Sequence, residues 1–412
     1  MAAKDQIDRR KFVAGAAAAA AFTIVPRHVL GGPGKPAPPS DTLGGALVGC
    51  GGRGGGTFKG LGKDVKRLAS CDVKYLDRAD NKTVYSDFRR VLERADIDVV
   101  AIATPPHWHA LISIAAMEAG KDVLCEKPMT RFIAEGRAVV EAEKRYNRIF
   151  QVGTYGRYSA VRSKNSREVH KIMRSGLAKD KGYVHIKSGG LKVAQWSGKV
   201  NVTPQPVPAN LDWDLYCGPA PLRPFHPHRH GGTHRGYWDY EGGGLADMGQ
   251  HHFDPVQWTW GKDDTSPVEV EAYAPPAHPE ACGMWGWVEL TYADGTAFVM
   301  DSTEWPQKGK PAYDRKQRRQ PKLGDFCEED QKKILAVPDP EPFVDFATAV
   351  RTRKKTGGSA EPAHRTATIL HLANIAIRVG RKIRYDPLKE QIVGDDQANR
   401  LVNQPMRAPW HL

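Results

Sequence analysis

Asp247 lies four residues before His251 in the stretch Leu245 to Trp258, LADMGQHHFDPVQW, and three glycines, Gly242-Gly243-Gly244, run just ahead of it, where they would let the chain pass close to a substrate. At that spacing the carboxylate and the imidazole share one face of the chain. An imidazole with an ordinary pKa near 6.5 takes and gives protons around neutral pH. About 120 residues earlier, Lys127 stands between Glu126 and Pro128, directly after the apolar run Asp122 to Cys125. A lysine there can supply positive charge to a developing alkoxide. A base, a carboxylate that binds substrate or orients the ring, and a cation are what alcohol oxidation needs besides a hydride acceptor. The plainer readings are an N-cap for Asp247 and a core histidine for His251.

A place for the hydride acceptor is written earlier in the chain. Ala46-Leu47-Val48 predicts a strand that ends in Gly49-Cys50-Gly51-Gly52-Arg53-Gly54. This is G-x-G-x-x-G after a strand: Gly49 for the tight turn, Gly51 for close approach of a pyrophosphate, Gly54 for helix–strand packing. Phosphates would lie at the helix N-terminus, where free N–H groups favour anions. Val65 to Cys71 predicts the next strand, and Asp72 follows it, 18 residues after Gly54. A carboxylate there suits ribose hydroxyls and so NAD, with Asp77 the alternative acid. Lys74 and Arg78 stand close by and leave NADP open.

The elements that must hold these groups alternate. Strands are expected at 99–103, 122–125 and 150–153, with helices at 86–94, 109–119 and 131–145 between and after them. Alternating units predict a parallel, doubly wound sheet whose ligands bind at the C-terminal strand ends, where Thr104, Pro105, Glu126 and Lys127 lie. From about Thr154 the pattern changes. Alternation at 183–187, 268–273, 285–292 and 296–300 predicts a mostly antiparallel, open sheet with one wet face, and helical patterns follow at 342–354 and 365–379. The expected fold class is therefore α/β, a Rossmann sheet followed by an α+β domain. Pro255 argues for a break at Asp254, which would cap a helix starting at the proline.

The totals fit an ordinary globular protein of 412 residues, 40% hydrophobic and 26% charged, with a net charge of +13. Its basic residues are spread along the chain, and the densest run, Asp314 to Arg319, reads as a solvated loop, so nucleic acid is not an expected partner. The six cysteines form no CxxC pattern. His226, His228, His230 and His234 sit among Pro and Gly and read as a loop over the cleft entrance, and no metal site is expected. At the N-terminus, Arg9-Arg10 precedes Phe12 and an Ala-rich apolar run reaching Val25. That pattern predicts a twin-arginine-type export signal over 1–33 and a linker over 34–41, hence a periplasmic protein served by that export machinery, with no stable membrane insertion. The nucleotide domain is then 42–155, and a substrate-binding and oligomerisation domain 156–412.

These residues together are similar to a known family. VGCGGRG at 48–54, CDV at 71–73, ATPPHWHA at 103–110, LCEKP at 124–128 and GGGLADMGQHHFD at 242–254 resemble the glucose–fructose oxidoreductase / inositol dehydrogenase / rhizopine-catabolism family. The tail, HRTATILHLANIAIRVGRKIRYDP at 364–387, resembles its exported branch. The resemblance implies NAD(P) held by Gly49, Gly51, Gly52, Arg53, Gly54, Asp72, Thr104, Pro105, His109, Glu126 and Lys127. It implies Lys127, Asp247 and His251 converging over the nicotinamide, and a homo-oligomer, dimer or tetramer. Tyr155, Arg157, Trp238 and Asp239 are candidate sugar contacts. Export of a folded protein implies a tightly held cofactor. The expected activity is hydride transfer to or from a secondary hydroxyl of a sugar. The alternatives are redox-neutral glycoside cleavage or epimerisation through a transient keto-sugar, and a non-catalytic sugar or cofactor sensor.

Overall fold

The computed structural model describes residues 42–178, 183–187, 191, 198–305 and 320–412. The signal and linker expected over 1–41, and the basic run of Asp314 to Arg319, lie outside the described residues.

Six parallel strands form the first sheet: β1 (Leu43–Val48), β2 (Val65–Cys71), β3 (Val84–Tyr85), β4 (Val99–Ile102), β5 (Asp122–Cys125) and β6 (Phe150–Val152). Their order is β3-β2-β1-β4-β5-β6, so the chain reverses direction across the sheet between β1 and β4. The register pairs Val48 with Ile102 and Ile102 with Cys125. The residues just after each strand, Gly49, Thr104 and Glu126-Lys127, are therefore brought to one edge, at the switch point where such sheets bind ligands. Strands β4 and β5 are buried at every position, as central parallel strands flanked by helices must be. Helices α1 (Gly54–Lys59), α2 (His109–Glu118) and α3 (Ile133–Tyr146) supply much of that cover.

The second sheet has the order β12-β11-β8-β9-β10-β7, with β7 Tyr183–Lys187, β8 Glu269–Tyr273, β9 Trp287–Thr291, β10 Ala297–Asp301, β11 Ile383–Asp386 and β12 Gln391–Ile392. Its pairings are antiparallel except β10 with β7. Two helices cover one face, α4 (Gly243–Thr259) and α5 (Ala360–Val379). Helix α5 joins both cores: Ala360, Ala363 and Ala367 pack under the parallel sheet, while Ile369, Leu370, Leu372 and Ile375 pack under the second.

Three local expectations are corrected. Asp254 does not cap a new helix; α4 runs unbroken from Gly243 to Thr259 with Pro255 inside it. The proline ring rests on Gly156, where a Cβ would stand 2.9 Å from its Cγ. Gly242, the first of the glycines ahead of Asp247, packs against a neighbouring helix rather than facing a substrate path. A Cβ at Gly242 would lie 2.3 Å from Asn374 Nδ2, and one at Gly249 would lie 2.5 Å from a Leu370 methyl, so these positions let α4 pack tightly on α5. The helix expected over 342–354 is shorter, Phe346–Thr352, capped by Asp345. Among the described residues no helix is long and apolar enough to cross a membrane.

Candidate active site over a nucleotide cavity

A cavity of about 470 Å³ opens at the switch point between β1 and β4. Gly49, Gly51, Gly52, Arg53, Asp72, Thr104, Pro105, Glu126, Lys127 and Asp247 all line it, so ten of the sequence candidates meet in one space.

The glycine turn is built as its spacing requires. Gly49 has a φ of +90°, and a Cβ on it would lie 2.5 Å from the Ala103 carbonyl carbon. Gly54 packs against the turn, with its would-be Cβ 2.4 Å from the Gly49 carbonyl oxygen. By contrast, Gly51 and Gly52 face open space, with nothing within 4 Å of a Cβ. That opening leaves room for a pyrophosphate to approach the backbone. Asp72 lies at the end of β2, accepting from Cys50 N–H at 2.8 Å and from Lys74 N–H at 3.0 Å. The hydroxyl of Thr104 is buried on the cavity wall with no hydrogen-bond partner. The residues present therefore fit a dinucleotide: open glycines for phosphates, a strand-end carboxylate for ribose on one side of them and an unmet hydroxyl on the other.

The floor is tied across two strands. Arg53 Nε donates to Glu126 Oε1 at 2.8 Å, and Thr57 Oγ1 donates to the same oxygen at 2.9 Å. Lys127 Nζ then reaches helix α4, donating to Asp247 Oδ1 at 2.5 Å and to its carbonyl at 2.8 Å. Arg235 forms a second ion pair with Asp247 Oδ1, at 2.9 Å. Burial opposes ionisation of Asp247, but the charges of Lys127 and Arg235 hold its carboxyl below the usual range. His251 is one turn further along α4, half-buried, and does not line the cavity itself. Burial, and then the Lys127 charge, push its pKa below the ordinary value.

Other candidates stand elsewhere. His109 is buried behind the floor, its ring nitrogens 2.7 Å from the Pro128 carbonyl and 2.8 Å from the Thr104 carbonyl, so it braces the strand ends rather than touching a ligand. Tyr155 is partly exposed, with its hydroxyl over Gly60 and its charge environment set by Glu126 and Arg53. Arg157, Trp238 and Asp239 do not line the main cavity. Arg157 is enclosed with Asp254 and Asp263, Trp238 is a core residue whose Nε1 donates to the His278 carbonyl, and Asp239 accepts from Arg223. In each case an internal partner takes the groups a sugar would need.

The reading of residues 226–234 as a loop over the cleft fits their positions, and it extends further than the histidines. His230, Gly231, Gly232, His234 and Arg235 line the cavity, and Glu241 meets His234 Nε2 at 3.2 Å. Among the described residues no group of His, Cys, Asp and Glu is arranged to hold a metal ion. Arg235 and Glu241 carried no sequence signal of their own; only the histidine-rich run marked their neighbourhood.

Residues 163–412 match the description "Oxidoreductase family, C-terminal alpha/beta domain", and residues 66–154 match "Oxidoreductase family, NAD-binding Rossmann fold". The chain belongs to the glucose–fructose oxidoreductase / inositol dehydrogenase / rhizopine-catabolism family. Within that family, levoglucosan dehydrogenase of Pseudarthrobacter phenanthrenivorans is 48% identical over 77 residues, covering 18% of this chain and 20% of that protein. Inositol 2-dehydrogenase 4 of Saccharopolyspora erythraea is 39% identical over 114 residues, 26% of this chain and 34% of that one. A glycosyl hydrolase family 109 protein of Shewanella pealeana is 29% identical over 174 residues, 34% of this chain and 38% of that one. The chain thus spans at most 38% of these relatives' own lengths. The WlbA dehydrogenase of Bordetella pertussis, solved with NADH and UDP-GlcNAcA, shares the fold, with a TM-score of 0.53 at 16% identity over 84% of this chain and 99% of that one.

Proposed function

We propose that this protein exchanges a hydride between a tightly held NAD and a secondary hydroxyl of a sugar or sugar derivative. The observation that carries the reading is the Lys127–Asp247 pair on the wall of the cavity that also holds the glycine turn and Asp72. When bound, the nicotinamide supplies a hydride acceptor; the chain supplies the rest. Lys127 places a cation beside the reacting oxygen, Asp247 fixes its amine, and His251, on the same face of α4 but one turn beyond the cavity lining, is the assigned acceptor of the hydroxyl proton. Asp72 favours NAD, since a carboxylate there repels a 2′-phosphate.

Tight holding is supported by how the roof is tied down. Asp212 N–H donates to the Val73 carbonyl at 2.9 Å, Trp108 Nε1 to the Leu215 carbonyl at 3.0 Å, and Arg407 to Asp214 at 2.8 Å. The first two bonds fasten the segment leading to His230–Arg235 onto the nucleotide-binding domain, and the third ties it to the C-terminal tail. We further propose twin-arginine export to the periplasm, on the strength of Arg9-Arg10 and the apolar run after it. A homo-oligomer is proposed as well, on the family likeness alone. The likeness to a glycosyl hydrolase family 109 protein supports one second reading, redox-neutral cleavage of a glycoside through a transient keto-sugar.

Purified protein, denatured and assayed by mass, is expected to release nicotinamide dinucleotide. Candidate sugars are then expected to raise absorbance near 340 nm without added NAD. Protein that neither carries nor takes up the nucleotide overturns the proposal; release of free sugar from an aryl glycoside shifts it to the second reading. The depressed pKa of His251 also sets a pH dependence. A base works when neutral, so the acid limb of kcat/KM is expected below the ordinary histidine value of about 6.5. A limb at or above that value, measured over a pH series, would remove His251 from the role of base.

A further inference from the structure

Behind the catalytic wall is a second, small cavity of about 20 Å³, lined in part by Arg131, Arg378, Trp238, Glu241, His371 and Asn374. Its size is that of one or two water-sized spheres. Arg131 is only 7% exposed, and its Nε and Nη2 have no hydrogen-bond partner. Its guanidinium lies 4.1 Å from the Phe132 ring centroid, and that of Arg378 lies 5.0 Å from the ring of Trp238. The faces of both cations are thus covered by rings, which leaves their hydrogen-bonding edges. The nearby carboxylates have partners of their own, except that Glu241 Oε1 is buried without one. Glu135 accepts from the backbone N–H groups of Arg131 and Phe132, Asp239 from Arg223, and Glu241 Oε2 meets His234. His371 Nε2 is also buried without a partner.

We propose that this cavity binds one small anion of halide size between the guanidiniums of Arg131 and Arg378. Two cations line the space against a single carboxylate, Glu241, whose Oε2 is shared with His234 and Arg235 and whose Oε1 is left as one acceptor for two guanidiniums. A water molecule would satisfy donors but leave the charge uncompensated, and uncompensated buried charge is the costly case. Burial and then the charge of Arg378 depress the pKa of Arg131, and burial depresses that of Arg378. The site does not depend on the redox reading, although Glu241 lines both cavities.

The full chain, exchanged into sodium gluconate, would be titrated with sodium bromide at constant ionic strength. Gluconate is too large for the cavity. A saturable rise of a few degrees in the unfolding midpoint is expected with bromide and none with further gluconate. Arg378→Gln is expected to abolish that rise while still binding NAD. Crystals grown in bromide are expected to show an anomalous peak between the two guanidiniums. A map with ordered water only at that position overturns the proposal, as does an equal bromide response in the Arg378→Gln protein. The bromide map decides on the unaltered chain if the variant does not fold.

Discussion

Lys127→Met is expected to lower kcat by about two to three orders of magnitude, the range seen when a pre-organised electrostatic donor is removed from a reacting oxygen. The side chain is 10% exposed and its amine is fixed by two acceptors of one residue, the Asp247 carboxylate at 2.5 Å and its carbonyl at 2.8 Å. A group held in that way is placed before the substrate arrives, so its charge does not need to reorganise during the reaction. Methionine keeps the length and the apolar stem but removes the charge and the donors. The fold should survive, because Asp247 retains its ion pair with Arg235 at 2.9 Å. The turn that would hold the phosphates is likewise untouched, since Arg53 and Thr57 bind Glu126 rather than Lys127. Nucleotide affinity, read from fluorescence quenching, is therefore expected to change little while single-turnover hydride transfer at 340 nm collapses. Near-normal turnover in the variant would show that the cation does not act on the reacting oxygen.

The contrast between this site and the candidates that did not join it shows what a sequence can carry. Gly49, Gly51, Gly54, Asp72 and Lys127 are legible because a strand followed by a fixed short spacing determines where each residue must be, and the parallel register then gathers them at one edge. Asp247 is legible for the same reason on a helix, while His251, one turn on, stays off the cavity lining. What was not legible depends on long-range partners. The glycines of 242–244 read as an approach path for substrate, yet Gly242 meets the Asn374 side chain, 132 residues away along the chain. Arg235 and Glu241 line the cavity through a loop whose course no local period describes. Pro255 read as a boundary, because a proline inside a helix normally interrupts it. Here Gly156 receives the ring, and the helix continues. The strand β7 kept its expected bounds, but its parallel pairing with β10 lies in the topology and not in its alternation.

Arg157 gives the sharpest separation between a substrate contact and a structural one. Its side chain is 1% exposed and that of Asp254 is 0% exposed, with Arg157 Nη2 2.8 Å from Asp254 Oδ1. Its Nε also donates to Asp254 at 3.1 Å and its Nη1 to Asp263 at 2.9 Å, while Thr154 Oγ1 donates to the other oxygen of Asp254 at 2.9 Å. The arrangement clamps α4 to the segment after β6, two turns further along the helix face that presents Asp247 and His251. Arg157→Met removes the cation and leaves Asp254 buried with one hydroxyl for company. Breaking a buried pair from one side costs about 3–5 kcal/mol, because the stranded charge keeps its desolvation penalty. A loss of that size in denaturant unfolding is expected, with catalytic constants of the folded fraction little changed. The double variant Arg157→Met/Asp254→Leu should recover part of the loss, since it strands no charge at Asp254. If instead Arg157→Met unfolds at the normal midpoint and raises KM for a sugar, then Arg157 is free to reach the substrate, and the clamp is not what holds α4 in place.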